Sequence, residues 1–584
     1  MFKLFKYLKW QEWLLLILTI AIISTQALLS TTLPDYTIKI SNILLGENLS
    51  QSWGSLLNVC LIMLGLTAGV LICAFIANYL ASFIITKLLA RVRARIFKKV
   101  NSFSSKEINN FSIPSLITRS TNDLTQLQQV LTVSITLGFN APLTALFSIL
   151  KVVNLATQDG AGSLSIINIV SVLIICIAVF SIMLSVIPKF KKIQKTTDDL
   201  NKVTRESLTG IKVVRANNAQ NLQEAKFDKV NTRFSKLDWF VSKILSAVDP
   251  TLTLIMQGTS LAIVWVVGIL AHQNPSLIAL MTGFTQFSMY IITAFTSLSM
   301  LFMFIPRGII SGKRVNEILD TNLSIRDGVV DNNINNTKGT IEFKNVCFRY
   351  PDADADVLEN ISFKVEEGQT VAFIGSTGSG KSTLINLIPR FYDCTSGEIL
   401  INDINVKNYN QSHLHNLIGF VPQKGVLFSG TIEANIKYGK ENASEDEIKQ
   451  AIEISQSDFI YKFPDGLNHH ISQGGKNVSG GQKQRLSIAR AIIRNPEILI
   501  FDDSFSALDF KTDRLVRRNL NKHFQNTTKL IVAQRIGTIM NADQIIVLNE
   551  GKMVGIGTHK QLLKTCEIYK EIALSQLSKE ELDK

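Results

Sequence analysis

The chain has little of what holds small secreted folds or metal sites together. Its 584 residues include six cysteines, Cys60, Cys73, Cys176, Cys347, Cys394 and Cys566. None falls in an expected outward loop and none pairs at a metal-binding spacing, which excludes a disulfide framework and a zinc site. The pairs His413/His415 and His469/His470 lack acidic or cysteine companions at ligand spacing and read as ordinary surface positions. Charged residues make up only 18% of the chain, against 46% hydrophobic. Positive charge is nearly missing from the stretches 30–55, 151–163 and 272–276. Only about ten residues precede the first apolar run. That run exceeds a 7-to-15-residue secretion-signal core and lacks a small-residue cleavage site.

What is present is uneven. A 64.9 kDa chain is too long for one core, and its mean hydropathy of +0.21 comes from apolar residues crowded into the first 305 positions. Trp13 to Leu29, Leu56 to Leu80, Val130 to Leu150, Leu164 to Ile187, Ile244 to Ala271 and Leu277 to Ile305 are each long enough to cross a ~30 Å hydrocarbon layer. Six membrane helices follow, the fifth interrupted by Asp249-Pro250. Lys87, Arg91, Arg93, Arg95, Lys98, Lys99, Lys106 and Arg119 lie between the second and third spans, and 189–238 is also lysine-rich. This bias places both termini of a multi-pass protein in the cytosol. The net charge of +13 flanks spans and needs no nucleic acid. Phe2 to Trp10 mixes lysines, aromatics and leucines as an interfacial helix on the inner leaflet does.

The basic loops read as helices continuing from the spans, broken at Ser112-Ile-Pro114-Ser115 and at Thr209-Gly210. Residues 1–319 form the membrane domain. A polar stretch, 320–340, containing Asn332-Asn-Ile-Asn-Asn336, reads as a linker. From Ile341 short strands and helices alternate, so 341–584 is expected to be an α/β nucleotide-binding domain.

Gly375-Ser376-Thr377-Gly378-Ser379-Gly380-Lys381-Ser382 follows the apolar strand Thr370 to Ile374 and opens a helix at Thr383. In that context glycines let backbone N–H groups face phosphates, Lys381 adds a cation, and the Ser382 hydroxyl is placed to ligate magnesium. About a hundred positions later Ser479-Gly480-Gly481-Gln482 stands at a helix start.

Ser479-Gly-Gly-Gln-Lys-Gln-Arg485-Leu-Ser-Ile-Ala-Arg490-Ala491 resembles the signature helix of ATP-binding cassette (ABC) proteins. Six spans followed by one cassette is similar to the half-transporter exporters of that family, over nearly the whole chain. The resemblance implies ATP and Mg2+ as cofactors, with Tyr350 stacking on adenine. It implies that Gln423 joins metal and attacking water, that Asp502 ends the Walker B strand and helps hold magnesium, and that Ser506 to Asp509 cross a dimer interface. Leu116 to Arg119 with Asn122-Asp123, and Glu206 to Val214, resemble the two intracellular loops whose turns form coupling helices. A phosphate loop alone reaches one side of a γ-phosphate, and a signature helix N-terminus offers a second anion site, so two cassettes facing head to tail bury ATP between them.

The chain departs from the family at one constellation. Asp503 stands where a glutamate is usual and Gln534 where a histidine is usual. The shorter carboxylate sits ~1 Å back from the attacking water, a misplacement that costs on the order of 10²-fold. Gln534 donates a hydrogen bond but carries no proton or positive charge. The signature, by contrast, is intact apart from Val478, while Gln473 upstream replaces a frequent glutamate. A weak catalytic pair with a sound signature implies a heterodimer with a different half-transporter that supplies the glutamate and histidine. The expected cargo is a drug-like or lipid-like solute, because the spans hold few charges beyond Lys243, Asp249 and Arg307. A slow homodimer, an ATP-gated channel or regulator, and a scaffold subunit share this architecture.

Overall fold

The computed structural model describes residues 2–45, 53–157, 162–272, 275–331, 338–351 and 353–577. The tips of the expected short connections, at 46–52, 158–161 and 273–274, and the asparagine-rich stretch 332–336 lie outside the described residues. Two compact units are present. One comprises 1–101 and 113–321, the other 102–112 and 322–584.

The first unit is helical. Its six candidate spans lie in α1 (Trp10–Leu45), α2 (Trp53–Asn101), α4 and α5 (Ile113–Ser120, Asn122–Ala156), α6 (Gly162–Thr209), α8 (Gln220–Leu270) and α9 (Leu277–Asp320), with the short α3 (Ser105–Phe111) before α4 and α7 (Ile211–Ala216) before α8. Leu64, Leu71 and Phe75 of α2 are 70%, 68% and 71% exposed, an arrangement that suits hydrocarbon and would aggregate in water. Many hydroxyls within the spans return to their own helix, as Thr19 donates to Leu15 O at 2.7 Å, while others join helices, as Ser171 Oγ and Thr259 Oγ1 do at 2.7 Å. Asp249-Pro250 does not break the fifth span, because α8 runs through Pro250.

The N-terminal segment is a 3-10 helix, Phe2–Tyr7, with Leu4 fully buried against α2 and α9. Arg95 lies 4.5 Å over the Tyr7 ring and Lys3 is 3.6 Å from Asp320. Leu4 and Leu8 of the segment expected to lie at the interface are buried, and the 76% exposed Trp10 follows at the start of α1.

The break expected in the first basic loop falls at Ser112, which adopts φ 61°. Pro114 instead sits in the first turn of α4, where a missing N–H costs nothing. The second falls after Thr209, as α6 gives way to α7. The piece that joins the second unit is α3, ahead of the Leu116 to Asp123 segment expected to carry the first coupling turn.

The second unit holds two sheets. A four-stranded antiparallel sheet orders its strands Leu358–Val365, Ile341–Phe348, Ser396–Ile401 and Ile404–Asn405. A six-stranded sheet orders Lys552–Gly557, Gln544–Asn549, Thr370–Gly375, Thr528–Val532, Ile498–Asp502 and Ile418–Val421, parallel except at the first pair. Its parallel strands are buried along nearly their whole length, as sheets covered on both faces are. Their carboxyl ends point one way and gather the phosphate loop, Asp502, Gln423 and Gln534 at one edge. Part of the expected linker belongs to this unit: Gly328 N donates to Tyr409 O at 2.9 Å and Val330 pairs with Tyr409.

Candidate nucleotide site

The phosphate loop leaves the central strand at Gly375 and turns through Gly378 (φ 87°) and Gly380 (φ 94°), left-handed positions that a side chain would strain. Nothing stands within 4 Å of a Cβ built on Gly378, so the loop there is open to a ligand. Lys381 Nζ donates to Gly375 O at 2.9 Å, Ser376 O at 2.7 Å and Ser379 Oγ at 3.2 Å, which folds the ammonium over the loop. Burial pushes the Lys381 ammonium below the ordinary lysine range, against the pull of Asp503 and Asp502. A half-buried cation held by carbonyls and a hydroxyl, within an open loop of N–H groups, is suited to a phosphate chain.

Ser382 Oγ donates to Asp502 Oδ1 at 2.8 Å. Burial raises the Asp502 carboxyl above the ordinary range, with neighbouring Asp503 adding to it while Ser382 and Lys381 oppose. Hydroxyl and carboxylate oxygens of this kind are hard donors that suit magnesium. Among the described residues no three His, Cys, Asp or Glu gather as a metal cluster.

Asp503 is 7% exposed, adopts φ 44° and donates its backbone N–H to Val532 O at 3.0 Å. Its Oδ2 accepts two amide hydrogen bonds, from Gln534 Nε2 at 3.0 Å and from Gln423 Nε2 at 3.3 Å. The three expected catalytic side chains thus converge on a single oxygen. Gln423 is itself fixed from the signature helix: buried Gln484 donates to Pro422 O at 2.9 Å and accepts from Gly425 N at 3.0 Å. Gln484 lies within the signature sequence, but nothing in its spacing identifies it as the clamp of this turn.

Tyr350 donates to or accepts from Thr383 Oγ1 at 3.0 Å, and its ring meets Phe348 and Tyr392 edge to face, with centroids 4.8 and 5.4 Å away. It is therefore tied to the helix after the phosphate loop. Tyr392 was not singled out by sequence; its hydroxyl is also 3.5 Å from Asn109 Nδ2 of α3. At the signature, Ser479 caps the helix Gly480–Ile492, accepting from Gln482 N at 3.3 Å while Ser479 N donates to Gln482 Oε1 at 2.8 Å. Ser479 and Gly480 are exposed, and space around Gly480 is open. Asp509 caps the helix Phe510–His523 through Thr512 N at 3.0 Å and is exposed.

Residues 358–506 match the ABC transporter family and residues 13–295 match its transmembrane region. An uncharacterised ABC transporter ATP-binding protein of Mycobacterium tuberculosis is 37% identical over 525 residues, covering 88% of both chains. Another of Bacillus subtilis is 35% identical over 534 residues, 90% of both. A candidate multidrug export ATP-binding/permease protein of Staphylococcus aureus is 42% identical over 257 residues, 44% of each chain. A bacterial Atm1-family ABC exporter solved with ATP bound shares the fold at TM-score 0.80 and 23% identity, over 98% of this chain and 100% of that one. Six membrane helices joined to a phosphate-loop α/β domain, with family matches over both, make this chain an ABC transporter: a half-transporter whose membrane domain is fused to one ATP-hydrolysing domain.

Proposed function

We propose that this chain is one subunit of a heterodimeric exporter, in which its own Walker site holds ATP with Mg2+ and turns it over slowly. Its signature helix would complete the working site of a partner half-transporter with glutamate and histidine at the catalytic positions. The arrangement around Asp503 carries the reading. A general base must offer an oxygen to the water it deprotonates. Here one carboxylate oxygen already accepts two amides, and the side chain is a methylene short. Neither glutamine can take up a proton or bring a positive charge to the phosphate.

In this assignment the loop 375–380 and Lys381 bind the phosphates, Thr383 and Tyr350 flank the base, and Ser382, Asp502 and Gln423 hold the metal. ATP supplies the phosphoryl group whose release lets the cassettes part. The protein's own contribution is to cradle that group, exclude water and leave the proton with a poorly placed acceptor. Ser479, Gly480, Gly481, Gln482 and Asp509 face the partner. Both termini lie in the cytosol of a bacterial plasma membrane. The cargo is apolar or amphipathic, a reading supported by the multidrug export in the name of the Staphylococcus aureus relative and by the apolar spans.

The test is turnover by the assembled pair. Asp503→Glu with Gln534→His raises its ATPase rate and shortens retention of trapped nucleotide on this half, whereas the chain purified alone has almost no ATPase. Vigorous hydrolysis by the lone chain, or nucleotide lost equally fast from both halves, rejects the heterodimer.

A further inference from the structure

We infer that the membrane unit holds a binding site for zwitterionic amphiphiles whose cationic end bears N–H donors, with Asp123 as its acceptor and Arg307 as its anion partner. The inference rests on the amphipathic-cargo reading above and gives it a headgroup. A cavity of about 980 Å³ lies among α4, α5, α6, α8 and α9. Val179, Ile182, Leu252 and Met300 make one part of its wall apolar, while Asp123, Asp249, Arg307 and Arg314 also line it.

Asp123 is the informative member. Its carboxylate is 3% exposed, yet Oδ2 has no hydrogen-bond partner. Oδ1 is served by Ser311 Oγ at 2.9 Å and, more distantly, by Arg314 Nη1 at 3.9 Å. Ser311 Oγ also lies 2.9 Å from Gln126 Oε1, so its single proton is shared between two acceptors. A buried carboxylate oxygen left unpaired is costly, and one lining a cavity is satisfied by a donor that enters it. An N–H-bearing ammonium supplies both donor and charge.

Formal charge decides the rest. A purely cationic amphiphile placed here meets Arg307 and Arg314, and a purely anionic one meets Asp123 and Asp249. A head carrying both signs has a partner for each. Arg307 and Arg314 are seven residues apart on α9, hence on one face and about 10 Å apart along it. Thr293, also in the lining, is fourteen residues before Arg307, about 21 Å along the same helix and enough for an alkyl chain. The polar end of the cavity therefore sits at the base of an apolar slot.

Four probes sharing a dodecyl tail separate the possibilities: dodecylphosphoethanolamine, dodecylphosphocholine, dodecyl phosphate and dodecylamine. Each is labelled and titrated against the full chain in nanodiscs, with empty nanodiscs subtracted. The expected result is binding of the phosphoethanolamine compound about tenfold or more tighter than the other three, since choline lacks the N–H. Asp123→Asn removes most of the phosphoethanolamine-over-phosphocholine preference and leaves dodecyl phosphate no weaker. Arg307→Gln weakens the three phosphate-bearing probes and spares dodecylamine. Equal binding of all four probes, or an Asp123→Asn variant that weakens all four alike, overturns the site. Binding is read without ATP turnover, so a failed heterodimer and a failed headgroup site give different results.

Discussion

Burial raises the Asp503 carboxyl above the ordinary aspartate range, while hydrogen bonds from Gln423 and Ser506 and the charges of Lys381 and Arg535 pull the other way. The folded protein therefore binds this proton more tightly than the unfolded chain. Below the unfolded value both states are protonated and Asp503 costs nothing. As pH rises through the raised folded value, the ionised group is held where burial disfavours it, and stability falls. Asp503→Asn consequently raises the melting temperature of the nucleotide-free protein at pH 7.5, with the gain shrinking towards zero near pH 4. Thermal unfolding across that range checks it, and asparagine tolerates the positive φ of the position. The identities of Asp503, Gln423 and Gln534 were legible from family patterns. Their convergence on one oxygen was not, because the glutamines lie 80 and 31 residues away along the chain and only sheet order brings them together.

Among elements, α3 is the one the sequence reading did not resolve: the break expected over Ser112-Ile-Pro114-Ser115 falls at the first of these residues, Ser112, and Pro114 stands in the first turn of α4. The start of α3 carries its own signal in Ser104 and Glu107, a capping box. Glu107 is 4% exposed and reaches further than its own helix: it accepts from Ser104 N at 2.8 Å and from Ser324 N at 2.9 Å, tying α3 to the segment that follows α9. Burial acts to raise its pKa, but the hydrogen bonds from Ser104 and Ser324 together outweigh it and leave it lowered. That stabilisation is complete above the unfolded value and is lost as pH falls through the depressed folded one. Glu107→Gln weakens charge-assisted bonds and costs about 1–3 kcal/mol at neutral pH. In calorimetry this appears as a fall of roughly 2–4 °C per kcal/mol in the unfolding of the cassette unit, narrowing in acid. An unchanged transition at pH 7 removes Glu107 as the tie.

At the scale of the whole molecule, hydropathy was enough to find six spans, and motifs were enough to find the cassette, because both signals are contiguous in sequence. The charged end of the membrane cavity was hidden for the opposite reason: Asp123, Asp249, Arg307 and Arg314 come from three helices, and the sequence marked Asp123 only as part of a loop. The distribution of function over two chains can still be tested from this one. Two substitutions touch different composite sites if the proposed heterodimer is right. Lys381→Ala disables phosphate binding at the slow site, so the ATPase of the pair falls by less than about tenfold, because most turnover occurs elsewhere. Ser479→Ala removes a hydroxyl from the exposed helix N-terminus proposed to complete the partner's fast site. Losing one donor to a developing anion costs on the order of 10²-fold, so this change lowers turnover far more although the chain's own phosphate loop is untouched. A homodimer has two equivalent sites, each needing both residues, and the two variants then fail to a similar extent. Parallel ATPase measurements on the assembled pair, with thermal unfolding to establish that both variants fold, decide between a shared pair of equal engines and one engine with a regulatory grip.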